Sequence, residues 1–586
     1  MEPIIGIDLG TTNSEVAVCV NGKIEIVEKD GNPVLPSYVG LSPDSKLLIG
    51  EEARNQYILY PENTVKSIKR KMGRNEKIKL GNKTYLPQEI SAILLKELKS
   101  RAEKYLNRKV KKAVITVPAQ FSDVQRQATR EAGIIAGLEV VRIINEPTAA
   151  SLAFKSNDID KSSYVLVYDL GGGTFDVSLL KMEGELIEVV ASHGDNMLGG
   201  DDFDQALSEW IQDKLLENND KHIELSMLSK YRLNRIAENT KAYLSDFTHA
   251  KVIESGFDLI DTDKTLSINE EISRIEFEEL IECFLDKTIL AVHQTLADAG
   301  VNASEIDDIV LVGGSTRIPS IADALEREFG KKPRKNVHPE LAVAYGAGIM
   351  AARLMGEKKH RILIDITPYS FGISCMGMVD GVYCPYKYVP VIKSGTPLPV
   401  SKEELFYTMC EAQDAVKVNV FQGENTDARK NILIGKFRVE NLSLTAPEGS
   451  EIAMNMRLDL DGILKVAAVE VETGLTKHIT INDTLSKLSD IQLIDSAKEI
   501  IKLFNEEDLG AVDIDFDEDE TAKDNSIFYK LKKRVQAAVS KMDEADRIEA
   551  DKLLLDIENA QNINNDVQLE NLITELDDLL FYVEVE

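Results

Sequence analysis

The sequence predicts a multidomain protein: a two-lobed α/β domain, then an antiparallel β-sandwich, then a small α-helical bundle. Three observations point there. The chain has 586 residues, which at roughly 100–200 residues per domain is too long for one folding unit. Its patterning changes twice, from mixed α/β to almost pure strand near residue 357, and from strand to helix after Leu485. Two similar Asp-Leu-Gly turns, at Asp8 and Asp169, suggest that the first part is a duplicated fold closing on one ligand.

In the first 355 residues, short β-branched runs (Ile4–Ile7, Ala113–Val117, Tyr164–Tyr168, Ile309–Val312) alternate with helical patterns. Pro87–Leu106 carries apolar residues at 90, 93, 94, 98 and 102, a helical period. The polar stretch 357–361 and the apolar Ile362-Leu363-Ile364 before Asp365 read as a linker able to dock. Strands follow, with alternation in Ala415–Val420 and Leu464–Val471 and turn signals at Asp461-Gly462 and Glu472-Thr-Gly474. Two stripes then mark the helical bundle: Phe528, Leu531, Val535, Val539, Met542, and Leu569, Leu572, Leu576, Leu579.

Lys plus Arg is 68 and Asp plus Glu is 99, a net charge of −31. Such a chain repels nucleic acid and anionic lipid, so neither is an expected partner. Residues 486–586 carry 27 acids and 11 bases, about half the excess. Within them, Glu506–Asp524 has ten acids and one base. Asp513, Asp515, Asp517 and Asp524 fall at acidic positions of a calcium loop, but Glu518 stands where such loops need glycine. A solvated acidic connector is the better reading. The five cysteines show neither a C-x-x-C pair nor zinc spacing, which suits a reducing compartment. Without a signal-peptide pattern, a retention signal or an apolar run near 18–20 residues, a soluble, cytoplasmic protein is expected.

The chemistry sits in glycine turns. Ile7-Asp8-Leu9-Gly10-Thr11-Thr12-Asn13-Ser14 and Tyr168-Asp169-Leu170-Gly171-Gly172-Gly173-Thr174-Phe175-Asp176 each place an Asp at a strand end beside a Gly/Thr turn. Glycines let backbone approach a ligand, and turn N–H groups and Thr hydroxyls hold phosphate oxygens. An Asp beside each turn can hold a hydrated Mg²⁺. A third turn, Gly313-Gly314-Ser315-Thr316-Arg317, follows a buried-looking strand and is expected to open a helix; Gly199-Gly200 supplies a fourth. There is no P-loop. Gly346-Ala-Gly348 mimics a dinucleotide fingerprint but lies in Ala-rich helical sequence, where close helix packing explains it better.

These turns, with Val-Ile-Thr-Val-Pro-Ala and Gln-Arg-Gln-Ala-Thr inside 114–132, Arg-Ile-Ile-Asn-Glu-Pro-Thr-Ala-Ala at 142–150 and Leu311–Pro319, closely resemble the seventy-kilodalton heat-shock chaperones, the DnaK family of the actin-like ATPase superfamily. The resemblance implies an actin-like nucleotide-binding domain over 1–356, a linker over 357–366, a β-sandwich substrate-binding domain over 367–485 and a helical lid over 486–586. It implies an ATPase whose cofactors are ATP/ADP, Mg²⁺ and K⁺, with a chaperone's role in protein folding and stress response.

Residue by residue, the resemblance implies that Asp8 and Asp169 hold Mg²⁺ through water. Gly10, Thr11, Thr12 and Asn13, with Gly171, Gly172, Gly173 and Thr174, would cradle phosphates. Lys69 matches the family's catalytic lysine, and Asp176 and Glu146 match carboxylates that orient water or relay nucleotide state. Gly199, Gly200, Glu238, Lys241, Ser245, Gly313, Gly314, Ser315 and Arg317 match the rest of the nucleotide pocket. Pro118, Arg126 and Arg142 match the switch that reads it out to Ile362, Leu363, Ile364 and Asp365. Ile373, Met376, Phe406, Met409, Val416 and Val418 would line a groove holding an extended apolar peptide by β-augmentation. Partners implied are unfolded clients, a J-domain co-chaperone and a nucleotide-exchange factor, around a monomer.

This sequence also departs from the family. The stretch from Lys69 to Pro87 is short, Pro339-Glu-Leu-Ala replaces Pro-Asp-Glu-Ala, Tyr383–Val391 resembles an insertion, and the acidic run interrupts the lid. These point to a specialised bacterial-type paralogue. Cys410, beside the expected groove, is expected to be a buried thiol. Two further readings are a low-turnover nucleotide-sensing or exchange-factor relative, and a small-molecule kinase of the same superfamily. Lys69, Asp8, Asp169 and Thr174 argue against the first, and the kinase leaves about 220 C-terminal residues idle.

Overall fold

A computed structural model describes residues 2–154, 162–217, 224–260, 265–334, 338–357, 362–411, 413, 415–440, 442, 447–471, 476–478, 488–504 and isolated positions between 531 and 580. The acidic run 506–524 and the turn at 472–474 lie outside the described residues. The chain divides into two compact units, 1–368 with 488–512, and 369–487 with 513–586.

The first unit holds two sheets built on one plan. In the first, strand Ile4–Leu9 pairs parallel with Lys112–Val117 and antiparallel with Asn13–Val20. In the second, Ser163–Leu170 pairs parallel with Ile306–Val312 and antiparallel with Phe175–Glu183. Asp8 and Asp169 therefore occupy equivalent places, one residue before the end of each central strand. Buried on both faces, these central strands read as continuous apolar runs.

Helices cover the sheets. Pro87–Leu106 starts with proline at its first turn, and the Glu89 carboxylate accepts the Leu86 N–H at 2.6 Å. It ends on Asn107 in the left-handed region, and its apolar stripe packs into the first core. Helix Ala342–Leu354 lies so close to helix Glu146–Ala153 that a Cβ on Gly346 would strike the Ala149 backbone. Close packing is thus what those glycines serve, as the sequence suggested.

One feature differs from expectation. Helix Asp490–Leu503, expected in the lid, belongs to the first unit. Ser489 caps it, and Leu493 and Ile500 enter the first core. Each such side chain contributes about 1.5–3 kcal/mol when buried. Ser496 donates to Glu89 at 2.6 Å, and Leu488 N–H to Glu131 at 3.3 Å. Ile362–Ile364 of the expected linker is a strand, paired parallel with Leu186–Glu188 on the edge of the second sheet.

The second unit contains two four-stranded antiparallel sheets. One runs Val382–Ile392, Phe371–Val379, Ala415–Gln422, Ile432–Glu440; the other Val400–Tyr407, Glu451–Leu458, Leu464–Glu470, Thr476–His478. The insertion-like Tyr383–Val391 lies in the hairpin that turns at Asp380-Gly381, both at positive φ. Among the described residues near the C-terminus, Leu531, Val535, Met542, Leu553, Ile557, Leu576 and Leu580 form one apolar cluster.

Candidate functional site

Where the two turns of the first unit face each other lies a cleft of about 410 Å³. The Gly10–Asn13 turn is held from behind, its Gly10 N–H donating to Ser14 Oγ at 3.2 Å and its carbonyl accepting Ser37 Oγ at 2.8 Å. The Gly171–Thr174 turn closes on a Gly171 N–H to Thr174 carbonyl bond of 3.1 Å. Gly172 has no room for a side chain, because a Cβ there would run into the Thr12 hydroxyl. Gly313 sits at φ +83 and the turn after it is 3₁₀; the segment follows strand Ile306–Val312 and opens a helix at Pro319, with Gly313–Arg317 as a wall of the cleft.

Asp8, Gly10, Thr11, Thr12, Asn13, Lys69, Glu146, Asp169, Gly171, Gly172 and Thr174 line one end. Glu238, Lys241, Ser245, Gly313, Gly314, Ser315 and Arg317 line the other. Four expected residues do not line it: Gly173, Gly199, Gly200 and Asp176, which lies behind the Gly171–Thr174 turn. The Gly173 carbonyl accepts Arg70 Nε at 2.9 Å, and Gly199 and Gly200 are packed behind Gly172, where Gly200 N–H donates to the Gly171 carbonyl at 3.0 Å. Sequence reading missed Glu15, Tyr38, Lys66, Ser67 and Asp204, which also line the cleft, as do Asp201 from the fourth turn and Glu340. Glu340, from the divergent Pro339-Glu-Leu-Ala, pairs with Arg317 at 2.9 Å.

Lys69 is 3% exposed and ion-paired with Glu146, itself buried. Around this pair stand Asp8, Glu15, Asp169 and Asp176, all buried. Burial, then the Glu146 carboxylate, pushes Asp8 up to about 7. Asp169 and Asp176 are held well above the carboxylate range for the same two reasons, and Glu15 by burial and then by Asp8. Asp169 Oδ2 and Thr12 Oγ1 are buried without a hydrogen-bond partner. So many buried carboxyl groups around one committed ammonium, with an orphaned carboxyl oxygen, fit a cation that brings its own oxygen ligands and draws their protons off. Among the described residues no three His, Cys, Asp or Glu side chains stand close enough to hold a metal by themselves. Mg²⁺ fits here as an ion held through water and phosphate.

A hydrogen-bond path, buried except at its last link, runs from Asp176 beside this cleft. The Asp176 carboxylate accepts the N–H groups of Ala119 (3.2 Å) and Gln120 (3.3 Å). Arg126 Nη2 donates to the Ala119 carbonyl at 3.0 Å and to Asn145 Oδ1 at 2.7 Å. Asn145 Nδ2 donates to Asp365 Oδ2 at 3.0 Å, just past the docked strand. Pro118 starts the turn, its carbonyl accepting the Phe121 N–H at 3.1 Å.

A family model described as Hsp70 protein matches residues 4–80 and 75–583. The chain belongs to the Hsp70 family. It is 42% identical over 487 residues to chaperone protein DnaK of Thermotoga petrophila, covering 82% of this chain and 80% of that one. It is similarly 42% identical to the Thermotoga maritima protein over the same shares, and 41% identical over 506 residues to that of Thermotoga neapolitana, 85% and 83% of the two chains. As a member of this family it is an ATP-hydrolysing molecular chaperone. Among the described residues no helix is long and apolar enough to cross a membrane.

The six expected groove residues of this Hsp70-family chain divide. Ile373 and Val418 are buried, Ile373 directly opposite Val420 in the first sheet of the second unit. They have no free surface to line a groove. Met376, Phe406 and Val416 are half-buried, and Met409 is 54% exposed. Cys410, expected to be buried, is exposed, and all five cysteines are free.

Proposed function

We propose that ATP in this cleft controls how tightly the second unit holds extended apolar segments of unfolded proteins. The path from Asp176 through Arg126 and Asn145 to Asp365 carries the reading, because it joins the phosphate end of the cleft to the linker strand Ile362–Ile364. ATP closing the cleft would favour the docked strand and a loosened groove; hydrolysis would release the strand and trap the client. The phosphates would lie on Gly10–Asn13 and Gly171–Thr174, with Asp8 and Asp169 holding Mg²⁺ through water. Mg²⁺ supplies charge neutralisation at the β- and γ-phosphates. Lys69, oriented by Glu146, would place the attacking water and offset charge on the γ-phosphoryl group. The base and ribose would take the Glu238, Lys241, Ser245, Ser315 and Arg317 end, and K⁺ could serve the acidic wall.

Peptide would meet Met376, Phe406, Met409 and Val416, the expected groove residues with accessible surface. A J-domain protein acting near Arg142 and the linker, and an exchange factor, complete the proposed cycle of a cytoplasmic monomer. Steady-state ATPase tests it: the wild type turns over, and Lys69→Ala, which removes the one ammonium beside Asp8 and Asp169, falls by about 10²–10³. Equal, negligible rates in both would leave a nucleotide sensor.

A further inference from the structure

Glu15 is a buried acid that the cycle above does not use. It is 2% exposed on strand Asn13–Val20, lines the cleft, and forms no hydrogen bond or ion pair among the described residues. Its direct cross-strand partner is Asp8. Side chains opposite one another in an antiparallel pair lie on one face with Cβ atoms about 5 Å apart, and like charges there repel. Asp8 has one neutral donor, Thr116 Oγ1 at 2.7 Å.

Among the described residues the cations of the cleft are each engaged elsewhere, and Lys69 offsets this pair only from within its ion pair with Glu146. Lys69 is committed to Glu146, Lys241 to Asp204 (2.8 Å), Arg317 to Glu340 (2.9 Å), and Lys66 lies over the Tyr57 ring. Nine acidic and four basic side chains line the cleft, an excess of five acids before an anionic nucleotide enters. A separate observation points to the same missing partner: Asp169 Oδ2, more than nine-tenths buried, faces this cleft without a donor.

We propose that Glu15 and Asp8 form a paired carboxylate wall that couples nucleotide binding to cation binding more tightly than Asp8 and Asp169 do alone. The chemistry is simple attraction. A divalent cation brought by the phosphates meets one more carboxylate, so cation and nucleotide each gain more from the other's presence. However the pair carries its charge beforehand, an amide at 15 removes one negative ligand from the cation-bound state. The inference rests on reading the cleft as the nucleotide site.

The test is equilibrium binding of a fluorescent ADP analogue to the full chain, in EDTA and in saturating MgCl₂. The readout is the ratio of the two dissociation constants. Glu15→Gln and the smaller, neutral Glu15→Ser are expected to shrink that ratio about tenfold, or about 1.4 kcal/mol of coupling. Glu15→Asp, which keeps the charge, is expected to retain it. A wild-type ratio in a neutral variant that folds would overturn the proposal, as would an equal loss in Glu15→Asp, which would assign the effect to packing. Failure of the wild type to bind nucleotide at all would defeat the reading of the cleft itself.

Discussion

Replacing Asn145 with alanine cuts the path between cleft and linker at its narrowest point. Asn145 is 5% exposed and links Arg126 to Asp365 with its two side-chain atoms. Arg126 keeps its bonds to the Ala119 and Phe121 carbonyls, and Asp365 keeps its bond to the Ile366 N–H. The loss is therefore one acceptor for Arg126 on one side of a cavity and one donor for Asp365 on the other. A buried polar group left without its partner costs about 1–3 kcal/mol, and taking about 2 kcal/mol for the docked linker gives roughly a 30-fold shift toward the undocked state. Hydrogen–deuterium exchange of the 362–366 amides, in ATP and in ADP, reads this directly. The wild type is expected to protect these amides in ATP, and Asn145→Ala to lose about 30-fold of that protection while still binding nucleotide. Protection within threefold of the wild type in a folded variant would refute the path.

Two other outcomes follow from the cleft. Gly172→Ala forces a methyl into the Thr12 hydroxyl and is expected to weaken ATP binding at least tenfold, read by calorimetric titration, with far-UV circular dichroism unchanged. The folded-state value of Asp8, about 7, lies above its ordinary one, so the folded state keeps a proton that the unfolded chain gives up. Its stabilisation is present in acid and lost as pH rises through 7: in EDTA, melting at pH 8 should be lower than at pH 6 by about 1 kcal/mol, roughly 2 °C. Asp8→Asn should flatten that slope.

The periodic parts of this fold were legible in the sequence. Pro87–Leu106 has a one-sided apolar stripe and a proline start, and the structure gives a helix with those bounds. The paired turns declared themselves because glycine and threonine beside a strand-end Asp are a chemical requirement. Glu15 and Asn145 carry no such local mark: one is an acid on a strand, the other an Asn before Glu-Pro. Their meaning comes from Asp8 across the sheet and from Asp365, 220 residues away. Lys69 sits among Lys66, Arg70 and Lys71 and becomes distinct only when Glu146 reaches it. Helix Asp490–Leu503 was legible as a helix, but the surface its apolar face covers was not, because Leu493 and Ile500 would suit any core. In the strands of the second unit, alternation identifies a face without saying whether groove or core covers it; Ile373 and Val418 were misjudged for that reason.

The central claim is that nucleotide in the cleft governs peptide affinity in the other unit. Dissociation of a fluorescent apolar peptide from the full chain, first in ADP and then in ATP, tests it most directly. Release much faster in ATP than in ADP is the predicted result, with Lys69→Ala retaining the difference because it binds ATP without hydrolysing it. The same rate in both nucleotides, from protein that binds both, would contradict it.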